Sequence, residues 1–178
     1  MMATIHDLNT YTIQPEDKFF FDTNIWMYIH CSIGNYNPQL VQDYSDFYQK
    51  IKTQGNRILT SALLISEFVN TYSRLEFNLK KHKDGLKDFK RDFRSNPKYK
   101  PLFNNINLVT ERKILSNTVK IQDHFNVFKE QDFFSKPGTY DFNDEYYCYI
   151  AEKLEFKIVT HDKDFRNSQH DIDIITKI

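Results

Sequence analysis

Phe19-Phe20-Phe21-Asp22-Thr23-Asn24-Ile25-Trp26 is the stretch on which the reading of the chain turns. Its apolar run is too short for a helix and carries the aromatic bias of strands. The run stops at a carboxylate. Thr23 and Asn24, which follow, suit a turn or a helix N-cap. Ligands of open parallel α/β sheets gather just beyond the carboxyl ends of the strands, so Asp22 stands where such a sheet would do its chemistry. Taken alone, an Asp after a strand is also explained as a cap or turn residue, and the rest of the chain must discriminate.

Outward from that stretch, helices and strands alternate. The spacing predicts a first strand over Lys18–Asp22 and a helix from Thr23 to about Ile29. After a loop at Gly34-Asn35-Tyr36-Asn37-Pro38, Leu40, Val41, Tyr44, Phe47, Tyr48 and Ile51 recur at helical spacing, and Gly55 closes that helix. A second strand is expected at Arg57–Thr60. Ser61 then caps a long helix whose stripe is Leu64, Phe68, Thr71, Tyr72, Leu75 and Leu79, with Glu67 bordering it. Ile106–Thr110 reads as a third strand, with a helix from Ile114 to Phe128 after it. Lys136-Pro137-Gly138 is a loop. Asp141 or Asn143 caps a helix carrying Tyr147, Cys148, Ala151 and Leu154 on one face. Lys157–Thr160 is the fourth strand, followed at once by His161-Asp162, and Ile172–Ile175 is the fifth. The alternation points to one α/β domain over residues 18–178 with a mostly parallel five-stranded sheet flanked by helices. Residues 1–17 read as a tail.

Bulk composition narrows the classes. The chain has 178 residues, enough for one domain with a full core. Sixteen Phe and 11 Tyr predict an aromatic core. The 24 basic and 24 acidic side chains cancel, so any attraction for nucleic acid must be local. It has one evident source. Residues 80–100 hold nine Lys or Arg against three Asp, with Leu86, Phe89 and Phe93 keeping an apolar edge. This predicts an amphipathic helix ending in a loop at Asn96-Pro97. Its face is explained by solvation, or by contact with a phosphate backbone through Lys87, Lys90, Arg91 and Arg94. Cys31 and Cys148 form no CxxC pair and imply no disulfide framework. With no apolar leader and no run long enough to span a membrane, the expectation is a soluble cytoplasmic protein.

Four acids carry the chemistry. Asp22 follows the first strand, Glu67 lies one helix beyond the second, Asp144 sits in a helix first turn before the fourth strand, and Asp162 follows that strand. Asp144 shares a helix face with Cys148 and Ala151, which makes it the polar head of a buried stripe. Singly, each acid is explained by capping, helix-dipole or solvation roles. In a parallel sheet, however, all four lie along one edge, where they would repel one another and raise each other's pKa. Cations stabilise such a cluster. Hard oxygen ligands without paired Cys or His favour Mg²⁺ or Mn²⁺, and ions of that kind suit phosphoryl chemistry.

On these residues the chain resembles a family. Phe20-Phe21-Asp22-Thr23-Asn24, then Thr60-Ser61-Ala62-Leu63-Leu64-Ile65-Ser66-Glu67, then Asp144 through Ile150-Ala151 to Ile158-Val159-Thr160-His161-Asp162-Lys163-Asp164-Phe165 is similar to the PIN domain, nearest to the bacterial VapC-type toxins. The resemblance implies a metal-dependent endoribonuclease in which Asp22, Glu67, Asp144 and Asp162 are the acidic quartet. Asn24 and Thr160 match its supporting polar positions. Asp141, one helical turn before Asp144, competes for the inner place. The resemblance further implies an RNA substrate, an antitoxin partner and a homodimer. His161 reads as turned away from the site, with no catalytic role. The alternative is a catalytically silent PIN-like module that binds RNA or a protein, against which the intact quartet argues. A phosphatase of the haloacid-dehalogenase type would need a second Asp where Asn24 stands.

Overall fold

The computed structural model describes residues 2–135 and 141–178. The loop expected at Lys136-Pro137-Gly138 lies outside the described residues.

The sheet is built from β1 (Thr4–Asp7), β2 (Lys18–Phe21), β3 (Arg57–Thr60), β4 (Val119–Lys120), β5 (Lys157–Val159) and β6 (Asp173–Thr176), in the order β1-β6-β5-β2-β3-β4. Every pairing is parallel. β2 is central, with Phe20 opposite Leu59 on β3 and Ile158 on β5. Phe19, Phe20 and Phe21 are all fully buried, as a strand covered on both faces requires. Side chains alternate across the pleat. Phe19 meets Phe47 and Phe21 meets Trp26 and Tyr48 on one face, while Phe20 meets Tyr147 and Phe156 on the other.

The helices beside the site follow the predicted spacing. They are α1 (Thr23–His30), α2 (Pro38–Gln54) and α3 (Ala62–Lys80). Asn37 caps α2 and Ser61 caps α3 through their side chains. Gly55 ends α2 in the left-handed region at φ 78°, where a glycine has no Cβ to clash. Further along come α4 (Lys100–Val109), the short α5 (Glu130–Phe134) and α6 (Phe142–Leu154), the last capped by Asp141.

Four expectations are corrected. The sheet has six strands rather than five. Within the stretch read as a tail, Thr4–Asp7 forms the edge strand β1 against β6, pinned by His6 Nε2 at 2.6 Å from Asp173 Oδ1. Only Ile5 marks it as apolar, so it has no pattern of its own and exists because β6 offers an open edge. Ile106–Thr110 is not a strand. Leu102, Ile106 and Val109 complete a helical face on α4, and the strand that follows β3 in the chain is the two-residue β4, inside the segment read as a helix. Finally, residues 80–100 are not one helix. α3 ends at Lys80, Gly85 turns the chain at φ 65°, and a π-helical turn over Phe89–Arg94 and a 3-10 turn over Pro97–Tyr99 follow. Among the described residues no helix is long and apolar enough to cross a membrane.

Candidate active site

The connections from β2 and β5 leave in opposite directions, β2 toward β3 and β5 toward β6. Their carboxyl ends therefore bound the crevice where ligands of such sheets bind. Asp22 stands at the end of β2 and Thr160-His161-Asp162 at the end of β5. A cavity of about 450 Å³ opens there, and Asp22, Glu67, Asp141, Asp144 and Asp162 all line it together with Asn24. The four acids of the sequence pattern, and the fifth that competes with Asp144, thus face one space.

A hydrogen-bond network holds the floor. Asp22 is buried and caps α1 by accepting from the Thr23 amide at 2.6 Å through Oδ1. Its Oδ2 accepts from the Thr160 hydroxyl at 2.7 Å and from Asn24 Nδ2 at 2.5 Å. The Thr160 hydroxyl in turn accepts from the Asp162 amide at 3.0 Å. One threonine therefore ties the ends of two strands together, which explains a buried hydroxyl two residues before an acid. Asp162 also closes the turn after it, its Oδ1 accepting from the Asp164 amide at 2.9 Å.

The remaining acids come from helices. Glu67, in the second turn of α3, accepts through Oε2 from the Tyr147 hydroxyl at 2.9 Å. The structure separates the competing pair on α6. Asp141 is exposed and accepts the Asn143 amide at 2.7 Å as the cap, whereas Asp144 is half-buried at the head of the stripe that continues into Cys148 and Ala151. His161 is not on the cavity wall. Its Nδ1 lies 3.2 Å from the Tyr44 hydroxyl and its ring packs against Tyr28 and Tyr44.

Electrostatics mark the site. Burial, then repulsion by Glu67 and Asp162, pushes the Asp22 carboxyl up to about 7 despite the hydrogen bonds that oppose the shift. Burial, then repulsion by Asp22, Asp141, Asp162 and Glu67, pushes Asp144 up to about 8. Burial also raises Glu67, against the Tyr147 hydrogen bond that lowers it. Among the described residues no three His, Cys, Asp or Glu side chains are gathered around one point as a ready-made metal cage. The carboxylates line the walls of the cavity instead. The donor set is nevertheless all oxygen, and burial and mutual repulsion disfavour the anionic forms of Asp22 and Asp144, which fits a hard divalent cation such as Mg²⁺ or Mn²⁺.

The four basic candidates do not line this space. Lys87, Lys90, Arg91 and Arg94 are exposed, on a segment that folds back against the last turns of α3, where Phe89 and Phe93 meet Phe77 and Arg74 lies over the Phe89 ring. Arg91 is engaged by its neighbour, its Nε donating to Asp92 Oδ1 at 2.7 Å. Sequence reasoning missed the Tyr147 contact to Glu67 and the non-acidic wall of Met27, Tyr28 and Tyr36. Tyr147 lies three residues after Asp144, a spacing that could have suggested a shared role, but its partner sits on another helix.

No curated protein sequence matches the chain. Among solved structures it is similar to the crystal structure of PAE2754 from Pyrobaculum aerophilum. The identity is 15%, with 91% of this chain and 92% of that chain covered, and the TM-score is 0.43. The family model of the PIN domain matches residues 19–170, a span that runs from β2 through all five cavity acids. PIN domains are commonly nucleases, and the chain belongs to the PIN domain family.

Proposed function

We propose that the chain is a metal-dependent endoribonuclease that hydrolyses RNA phosphodiester bonds. The observation that carries this reading is the convergence of Asp22, Glu67, Asp144 and Asp162 on one cavity at the carboxyl ends of β2 and β5, with Asp22 and Asp144 disfavoured as anions. Those four side chains would hold the cation. A divalent ion bound there would supply a Lewis acid that polarises the phosphate and acidifies water. Asp22 accepts one donor at Oδ1 and two at Oδ2, so Oδ1 keeps a lone pair for a ligand. Thr160 and Asn24 orient Asp22, and Tyr147 orients Glu67. The role of toxin, an antitoxin partner and a homodimer rest on the VapC-type resemblance.

The test is cleavage of unstructured RNA by the purified protein in MnCl₂ and in EDTA, beside a thermal melt in both buffers. Cleavage and a raised melting temperature in MnCl₂, both absent in EDTA, are expected. Metal binding without cleavage of any RNA would sink the nuclease reading.

Two further results are expected here. Tyr147→Phe removes the donor that favours ionised Glu67. Loss of an outer partner of this kind weakens metal affinity by about 10–100-fold, read as the MnCl₂ concentration for half-maximal cleavage, with the fold intact. An unchanged MnCl₂ requirement would remove Tyr147 from the account. Joint replacement of Lys87, Lys90 and Arg94 by Ala is expected to weaken RNA binding and to flatten its salt dependence by about 2 in the log–log slope, at roughly 0.7 per phosphate contact. Arg91→Ala changes the slope less, because Asp92 already engages that guanidinium. An unaltered slope in the triple variant would make the segment a solvated face.

A further inference from the structure

The cavity has one wall that is not acidic. Tyr28 on α1 and Tyr36 in the loop before α2 line it beside Met27. The two rings meet edge to face, with centroids 4.9 Å apart and planes at 63°. Both are half-buried, so each keeps surface open to the cavity. Tyr28 is backed by Tyr44 at 5.9 Å and by His161 at 6.1 Å. Tyr36 lies directly on Gly34, where an added Cβ would fall 1.9 Å from its Cε2 and 2.2 Å from its Cζ. A glycine is needed at position 34 for the ring to settle there. The wall is thus fixed by packing on both sides, and burial beside Asp22 and Asp162 raises the Tyr28 phenol and keeps it neutral.

An acidic site disfavours the phosphates on either side of the one it cleaves. A nucleotide entering such a cavity gains its favourable contact through the base, and aromatic rings stack bases of every kind. We infer that Tyr28 and Tyr36 form a nucleobase subsite that stacks the base beside the cleaved phosphodiester and favours a purine there. A purine offers the larger π face, and two rings at a steep angle receive its face and its edge together. The placement beside the cleaved bond rests on the nuclease reading; the affinity for a base does not. If the pair only closed α1 against the following loop, its removal would lower stability without touching base preference.

The test uses short fluorescent RNA oligomers of adenosine, of cytidine and of abasic ribose-phosphate. Binding is followed by anisotropy in EDTA, and cleavage in MnCl₂, for the wild type, Tyr36→Leu, Tyr36→Phe and Gly34→Ala. The wild type is expected to bind the adenosine oligomer about tenfold more tightly than the abasic one, with cytidine between them. Tyr36→Phe keeps that ratio. Tyr36→Leu, and Gly34→Ala by displacing the ring, bring it to within about twofold. Circular dichroism confirms that each variant folds, and the Phe variant separates loss of the ring from loss of the hydroxyl. A wild type indifferent to the base overturns the subsite, as does a ratio that survives in folded Tyr36→Leu. Base-dependent binding by a wild type that cuts nothing in MnCl₂ supports the subsite and overturns the nuclease reading instead.

Discussion

Asp22→Asn is expected to abolish metal-dependent RNA cleavage while the chain still folds. Asp22 joins the cavity to the ends of both central strands, and the amide keeps only part of its role. Its carbonyl can still accept from the Thr23 amide and cap α1. Its NH₂ group, however, would face Asn24 Nδ2 and a Thr160 hydroxyl already accepting from Asp162. The variant therefore loses the negative charge a cation needs and gains a donor-to-donor conflict of about 1 kcal/mol. Relief of repulsion from Glu67 and Asp162 offsets that cost. The melting temperature in EDTA should move by only a few degrees, since about 1 kcal/mol corresponds to roughly 2–4 °C in a chain of this size. Cleavage should fall by more than the roughly 100-fold that losing an outer partner costs. The assay is cleavage in MnCl₂ beside a circular dichroism melt. A folded Asp22→Asn protein that cuts RNA at the wild-type rate would remove the carboxylate cluster from catalysis.

The second large effect is a stability that falls as pH rises, and that metal restores. Asp144 is pushed up to about 8 and Asp22 up to about 7, from an ordinary value of 3.8. The folded chain therefore holds these protons more tightly than the unfolded chain. Their contribution is complete below about 4 and is lost as pH rises through 7 and 8. His30, which burial pushes down to about 4 from 6.5, acts in the opposite sense between those two values, so the carboxyls are read above pH 6.5. In EDTA the melting temperature should drop between pH 6.5 and 8. MnCl₂ at about 100 times its dissociation constant should add roughly 2.7 kcal/mol, with the larger gain at pH 8, where less proton must be displaced. Asp144→Asn should raise the EDTA melting temperature at pH 8, flatten its pH dependence and abolish the MnCl₂ shift. Fluorimetric melts across that range decide it. A wild-type curve that is flat from pH 6.5 to 8 would mean that these carboxyls are solvated and independent.

Much of this site was legible in the chain because its signals are local. Phe19–Phe21 ending at Asp22 reads as a strand end, Ser61 reads as a cap, Asp141 or Asn143 reads as another, and Gly55 reads as a helix stop. Each depends on residues within one or two turns. The spacing of Asp144, Cys148 and Ala151 likewise places that acid at the head of a buried stripe without knowledge of what covers it. The order of the motifs then carried the family resemblance, which the match over residues 19–170 bears out.

Other features belong to the tertiary structure because their partners are distant. Thr4–Asp7 is a strand only because β6 leaves an edge open, 169 positions from Thr4 to its partner Asp173. Val119–Lys120 pairs for the same reason, and its own residues carry no alternation to announce it. Ile106 and Val109 look like a strand until Leu102 shows which face the helix buries. The Tyr147 hydroxyl reaches Glu67 across two helices, and Tyr36 settles on Gly34 beside Tyr28 through a loop whose sequence says only that it turns. Periodicity, caps and turns fix what a segment does with its own backbone. Edge pairing, hydrogen bonds between helices and the burial and mutual repulsion that raise Asp22 and Asp144 arise only when separate segments meet, and the fold alone brings them together.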